Sequence, residues 1–191
     1  MKAVVLAAGE GTRLRPLTDV RPKPMLPIAN RPLLEYVVEA VADAGVDEVV
    51  LVVGYKRERI QSYFGDGGDW GVDIEYAHQE KQLGTGHAVL QADPHVEGDF
   101  LVLNGDRIIE SGIVSRMVEE ERDGGALVAV TRSDQPTRYG VAELDGDRVV
   151  DLTEKPQSAT SEIINAGVYV FGSDVFGEIR ETEISVAGER E

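Results

Sequence analysis

The spacing of apolar positions changes several times along the chain, and each change marks an element. KAVVLAA at residues 2–8 is a short apolar run that breaks off at Gly9, Glu10 and Gly11, which predicts a buried strand feeding a glycine turn. Over Leu33 to Ala44 the apolar side chains Leu34, Val37, Val38, Val41 and Ala42 recur at helical intervals, with Gly45 as a stop. EVVLVVG then predicts a second buried strand, Arg57 to Phe64 a polar helix, DIEYAHQ an alternating strand, Gly86 to Ala92 a helix, and FLVLNGD another strand. Strands that alternate with helices imply right-handed crossovers. The expected fold is therefore α/β: a Rossmann-like three-layer sandwich, its mixed sheet mostly parallel and covered by helices on both faces.

Beyond residue 106 the rhythm shifts. A helix from Ile113 to Arg122 and a strand ALVAVT continue the earlier pattern, but GVAELD and RVVDLTE flank Asp145-Gly146-Asp147 and predict a hairpin. The strand IINAGVYVF and a short segment Ser173 to Ile179 follow, before the polar end ETEISVAGERE. No internal repeat or low-complexity tract interrupts the series.

Composition narrows the function. With 191 residues the chain fits one domain, and no run approaches the ~20 apolar residues of a membrane-spanning helix. MKAVVLAAGEG lacks the features of a secretory signal, so a cytoplasmic location is expected. The absence of cysteine removes disulfides, thiolate metal sites and cysteine nucleophiles, leaving oxygen or imidazole to hold any metal. A formal net charge of −16 disfavours nucleic acid and anionic membranes as partners. Acidic residues are spread along the whole chain and only five of the nineteen cations are Lys, a pattern that we read as adaptation to a high-salt cytoplasm, where counterions screen self-repulsion, with an ordinary acidic protein as the alternative.

Candidate chemistry begins at LAAGEGTRL, residues 6–14. Gly9 and Gly11 let backbone amides approach a ligand closely, and amides aligned in a turn form a nest for phosphates. Leu14 stands where a G-x-G-x-x-G dinucleotide loop needs glycine, which disfavours an NAD-dependent dehydrogenase, and the sequence is not a G-x-x-x-x-G-K-[ST] phosphate loop either. Arg13 follows the glycines, and Lys23 sits in RPKPMLP, where prolines stiffen the backbone; fixed cations in so acidic a protein suit a polyphosphate ligand. Arg15, Arg21 and Arg31 are read as solvated charges or local salt-bridge partners. Asp106 ends a predicted strand, where α/β sheets place ligands and where a carboxylate can serve Mg²⁺.

LAAGEGTRLRPLT followed by RPKPMLPIANRPLLEY resembles the signature of the sugar-1-phosphate nucleotidylyltransferases, and HQEKQLGTGHA, LNGD, RYGVAE, LTEKP and INAGVYVF continue it in order over nearly the whole chain. The resemblance implies the nucleotide-diphospho-sugar transferase fold. It also implies that a nucleoside triphosphate, UTP or dTTP in preference, condenses with a sugar-1-phosphate to give a nucleotide sugar and pyrophosphate. A mannose-1-phosphate guanylyltransferase is the alternative within the family, and a non-catalytic nucleotide-sugar-binding regulatory subunit the alternative outside enzymes.

By that resemblance Arg13 would hold the β- and γ-phosphates, Lys23 would neutralise charge where the substrates meet, and Asp106 would bind Mg²⁺. Leu6, Ala7, Ala8, Gly9, Gly11 and Thr12 would form the nucleotide loop, while Gln79, Gly84 and Thr85 would read the base. Gly140, Glu154, Lys155 and Asn165 would receive the sugar phosphate. Gln82 is read as a neighbour or surface residue, His87 as a packing histidine, and Trp70 as a packing anchor on a loop. A homo-oligomer is compatible with this reading. The family's second metal ligand has no counterpart that can be placed, since Glu183 and Glu189 are unconvincing. The expectation is one nucleotidyltransferase domain over 1–191, incomplete at its C-terminal end and weakly active or inactive in this form.

Overall fold

The computed structural model describes residues 1–120 and 125–181. Ten strands are present among them: β1 Lys2–Ala7, β2 Pro27–Ile28, β3 Arg31–Pro32, β4 Glu48–Val53, β5 Asp73–His78, β6 Asp99–Asn104, β7 Leu127–Arg132, β8 Gly140–Asp145, β9 Arg148–Glu154 and β10 Ile163–Gly172. Five α-helices join them: α1 Leu33–Asp43, α2 Arg57–Phe64, α3 Thr85–Leu90, α4 Ser111–Glu119 and α5 Val175–Glu181. The main sheet runs β5-β4-β1-β6-β10-β8-β9, and β7 pairs with β10. Its β5-β4-β1-β6 side is parallel, whereas every pairing made by β10 and by the β8-β9 hairpin is antiparallel.

Residues along β1 alternate between two cores. Ala3, Val5 and Ala7 enter a cluster with α1 and α4, including Leu34, Val37, Val38 and Val114, while Val4 enters a second with α3 and α5, including Val89, Phe100 and Phe176. Both faces are covered, which is why these strands read as continuous apolar runs rather than as alternations. The predicted three-layer sandwich is therefore the observed one.

Helix α1 stops as its sequence suggests. The Gly45 N–H donates to the Ala42 carbonyl at 2.9 Å and the Val46 N–H to Val41 at 3.2 Å, with Gly45 at φ +81°, the Schellman arrangement that favours glycine. Val46 then packs beside Val41 in the core. Trp70 is indeed a packing anchor, with its ring 4.9 Å from Phe64 and 5.6 Å from Tyr63.

The boundaries differ by a few residues at three helices. The helix expected from Ile113 begins at Ser111 and its described part ends at Glu119; the one expected from Gly86 starts at Thr85 and ends at Leu90. The segment expected over Ser173 to Ile179 is α5, displaced by two residues because β10 extends to Gly172. Arg122, Glu183 and Glu189 lie outside the described residues.

Candidate functional site

Two strand ends build the floor of the site. β1 and β6 pair in register at Leu6 and Asn104, so the glycine turn that follows β1 and the Gly105-Asp106 turn that follows β6 emerge side by side. The Gly105 N–H donates to the Leu6 carbonyl at 2.9 Å, and a Cβ on Gly105 would stand only 2.9 Å from that same oxygen, so the close approach requires glycine. Gly11 is similarly constrained, with φ +64° and space for a Cβ only 2.8 Å from the Cβ of Lys23. Gly9 is the opposite case, because nothing lies within 4 Å of where its Cβ would be.

The open space is a cavity of about 370 Å³. Leu6, Ala7, Ala8, Gly9, Gly11, Lys23, Gln79, Gly84, Thr85 and Asp106 all line it, joined by Asn104 and Gln82. Thr12 and Arg13 do not. They occupy an exposed single turn, Thr12–Leu14, directly after Gly11, and among the described residues Arg13 has no ion-pair partner. Arg15 instead pairs with Glu10 and Asp19, and Arg31 with Glu35 and Glu39, the local salt bridges expected of them.

Lys23 and Asp106, 83 residues apart, meet in a close ion pair. Lys23 opens a single 3₁₀ turn with Pro24 inside it, and the Leu26 N–H closes that turn on the Lys23 carbonyl at 3.0 Å. The ammonium therefore comes from a stiff base. About a third of each side chain remains exposed, at 35% and 36%, so the pair faces the cavity rather than the core. Among the described residues no cluster of three His, Cys, Asp or Glu side chains could hold a metal by itself. A single carboxylate still suits Mg²⁺, which commonly takes one or two carboxylates and completes its shell with water and substrate phosphate.

Beside Gly84 and Thr85, Gln79 is 5% exposed and its amide nitrogen is used internally. Nε2 donates to the Gly84 carbonyl at 3.3 Å and lies 2.9 Å from His87 Nδ1. A carbonyl can only accept, so the Gly84 contact fixes the amide with its nitrogen towards Gly84 and leaves His87 Nδ1 as an acceptor. The carboxamide oxygen is left as the polar group for a ligand. His87 thus holds Gln79 in place, consistent with the packing role expected of it. Gln82 does more than the sequence suggested: Nε2 donates to the Ala8 carbonyl at 3.1 Å, and Oε1 accepts from the Glu10 N–H at 3.4 Å, which laces the glycine turn to the segment before α3.

The second group of candidates does not line that cavity; Gly140, Glu154, Lys155 and Asn165 form a separate wall where β8, β9 and β10 meet. Gly140 pairs with Glu154 across the hairpin, and a Cβ on Gly140 would stand 3.1 Å from Glu154 Oε2 and 3.5 Å from the Asn165 Cβ. Lys155 pairs closely with Glu154, its N–H donates to the Tyr139 carbonyl at 3.0 Å, and its φ of +40° is unusual for a residue with a side chain. Such strain persists where surroundings over-determine the backbone. Asn165 sits at the irregularity of β10, where its Oδ1 accepts from the Gly167 N–H at 2.8 Å and its Nδ2 donates to the Tyr169 hydroxyl at 2.5 Å. Each amide group of Asn165 already has one partner, so a ligand contact must use its second hydrogen or lone pair. Arg107, which no motif drew attention to, joins this wall to the Asp106 turn through a hydrogen bond to the Asn165 carbonyl.

Comparison with known proteins gives a consistent picture. A family model described as nucleotidyl transferase matches residues 2–190. The bifunctional protein GlmU of Methanococcus maripaludis is 45% identical over 194 residues, covering all of this chain but 45% of that protein, so the chain spans less than half the length of this relative. The UTP–glucose-1-phosphate uridylyltransferase AglF of Haloferax volcanii is 38% identical over 195 residues, covering all of this chain and 80% of its own length. Among solved structures, a Bacillus anthracis protein assigned as a glucose-1-phosphate thymidylyltransferase, crystallised with a sucrose, superposes with a TM-score of 0.89 at 29% identity, covering 100% of this chain and 79% of that one.

Proposed function

This chain belongs to the nucleotidyl transferase family, and on that premise we propose that it joins a nucleoside triphosphate to a sugar-1-phosphate, releasing pyrophosphate. The observation that carries the reading is the convergence of Lys23 and Asp106 beside an open glycine turn. A phosphate oxygen of the sugar-1-phosphate attacks the α-phosphorus, a new P–O bond forms, and the bond from the α-phosphorus to the oxygen bridging the β-phosphate breaks. The nucleophile is already ionised, so no general base is needed. What the reaction requires is in-line alignment and relief of charge repulsion.

The chain's own groups are suited to both tasks. Backbone amides around Gly9 and Gly11 cradle phosphate, and the Lys23 ammonium turns from Asp106 to the phosphates as they arrive. Arg13, without an ion pair among the described residues, is assigned to the β- and γ-phosphates and the departing pyrophosphate. Asp106 is the group that would hold Mg²⁺, which when bound neutralises phosphate charge. Gln79, Gly84 and Thr85 are assigned to the base, and Gly140, Glu154, Lys155 and Asn165 to the sugar phosphate. Relatives named for uridylyl and thymidylyl transfer favour a pyrimidine nucleotide. A cytoplasmic, high-salt setting completes the reading.

The test is pyrophosphate release with Mg²⁺ from a panel of UTP, dTTP, GTP, ATP and CTP against glucose-1-phosphate and N-acetylglucosamine-1-phosphate. UTP or dTTP should support turnover, and Arg13→Ala should lower it with the fold intact. Selective use of GTP would replace the pyrimidine assignment, and nucleotide-sugar binding without any turnover would favour a regulatory role.

A further inference from the structure

We propose that Arg107 is a positioning residue for the sugar-phosphate half of the site, a role that rests on the transferase reading above. Arg107 follows Asp106 directly, and its backbone N–H donates to the Asn104 carbonyl at 3.3 Å, closing the turn that presents the carboxylate. Its side chain then reaches two other elements. Nη1 donates to the Asn165 carbonyl at 3.1 Å, and the guanidinium carbon lies 5.7 Å from the centre of the Tyr139 ring. That separation is within the range in which a cation is attracted to an aromatic face. Gly167, at φ +76°, packs against this turn: a Cβ there would stand 2.9 Å from Asn104 Nδ2, with Arg107 Nη1 next at 3.4 Å.

Both partners belong to the wall. Tyr139 precedes Gly140 and accepts from the Lys155 N–H, while Asn165 stands beside Gly140 at the irregular point of β10. One half-buried side chain thus fixes the distance between the metal-binding turn and the surface assigned to the sugar. In-line transfer needs reacting atoms held about 3–3.5 Å apart, so a wall that drifts from that turn lowers productive binding of the sugar end before it affects the nucleotide end. The planar guanidinium suits the task because it can keep a directed hydrogen bond and a ring contact together. An ammonium is a point charge and is less able to hold both.

The experiment compares the wild-type protein with Arg107→Ala, Arg107→Gln and Arg107→Lys, with Mg²⁺ present. Calorimetric titrations use UDP-glucose, UDP-N-acetylglucosamine and dTDP-glucose beside UDP and dTDP, and pyrophosphate release is followed with the matching triphosphate and sugar-1-phosphate. Arg107→Ala should bind the preferred nucleotide sugar about tenfold more weakly while nucleoside diphosphate affinity stays within about twofold, a split of about 1.4 kcal/mol. KM for the sugar-1-phosphate should rise about tenfold with KM for the triphosphate unchanged, and Arg107→Lys should recover only part of the loss. If Arg107→Ala does not fold, Arg107→Gln carries the same comparison. Equal weakening of both ligand classes, no weakening, or full recovery by Lys overturns the proposal. Wild-type protein that binds nucleotide sugars but releases no pyrophosphate sinks the transferase reading and leaves the Arg107 proposal to be decided by the titrations. Wild-type protein that binds no nucleotide sugar overturns both.

Discussion

The two sides of the site are held in place by different forces. The side proposed for the nucleotide grows out of β1, β4 and β6, where Val49 to Val53 are at most 1% exposed and helices cover both faces. The side proposed for the sugar hangs on the β8-β9 hairpin, where Val150 is 58% and Leu152 45% exposed. Burial fixes the first, so the backbone turns that carry its candidate groups cannot move without disturbing the core. Polar contacts fix the second: Lys155 to Tyr139, Asn165 to Gly167, and Arg107 to Asn165. On the proposed assignment, sugar preference should change by substitution on the hairpin with little cost to stability, whereas the groups proposed for phosphate are tied to the fold.

The sharpest way to break this comparison is at Lys23. Lys23→Ala removes the ammonium from the cavity, and preorganised charge of this kind typically supports 10²- to 10³-fold in kcat, roughly 3–4 kcal/mol. Pyrophosphate release should fall by about that factor while the thermal midpoint moves by only a few degrees, since the pair with Asp106 is partly exposed. A large loss of stability would show instead that the pair is a structural bridge. A pair of leucines tests the packing difference directly. Leu51→Ala should destabilise by roughly 2–5 kcal/mol in denaturant titration, because Leu51 is 0% exposed. The same change at Leu152 should cost less than about 0.5 kcal/mol, as expected of an exposed side chain.

Salt should act unevenly on the two sides. The hairpin and its turn carry Glu143, Asp145, Asp147, Asp151 and Glu154 against Arg148, in a protein whose net charge is already −16. Screening shortens to about 3 Å at 1 M salt, which removes most repulsion between exposed carboxylates. Molar KCl should raise the thermal midpoint by several degrees, and amide exchange should slow more in β8 and β9 than in β1 and β4. A midpoint indifferent to KCl would contradict the high-salt reading.

The same division decided what could be read from the chain. The parallel half was legible because strands buried on both faces appear as unbroken apolar runs, and the hairpin because Asp145-Gly146-Asp147 separates two strand-like segments. The motif match pointed to both Lys23 and Asp106, but spacing alone could not bring together groups 83 residues apart. The roles of Gln82, read only as a neighbour or surface residue, and of Arg107, which no motif marks, lie in contacts with the backbone 74 and 58 residues away, which leave no periodic trace. Asn165 was chosen for a ligand contact, yet its amide also holds the irregularity of β10, a duty visible only once Gly167 and Tyr169 are in place.

The smallest expected effect lies at the β5 edge of the parallel side, where electrostatics supplements packing. Glu75 accepts from Lys2 Nζ at 2.8 Å and lies 2.8 Å from His95 Nδ1, and these contacts, Lys2 first, hold its carboxyl below the usual 4.5. A carboxyl depressed on folding contributes stability that is present above its unfolded value and is lost as pH falls through its folded value. The side chain is half exposed, so solvent screening limits the contribution to less than about 1 kcal/mol. Glu75→Gln should therefore lower stability slightly at neutral pH and flatten the decline below about pH 4.5, where the wild type converges on the variant. Chemical denaturation at pH 7 and at pH 3 measures both ends. A difference that persists unchanged at pH 3 would mean that Glu75 acts through packing on the sheet edge and not through its charge.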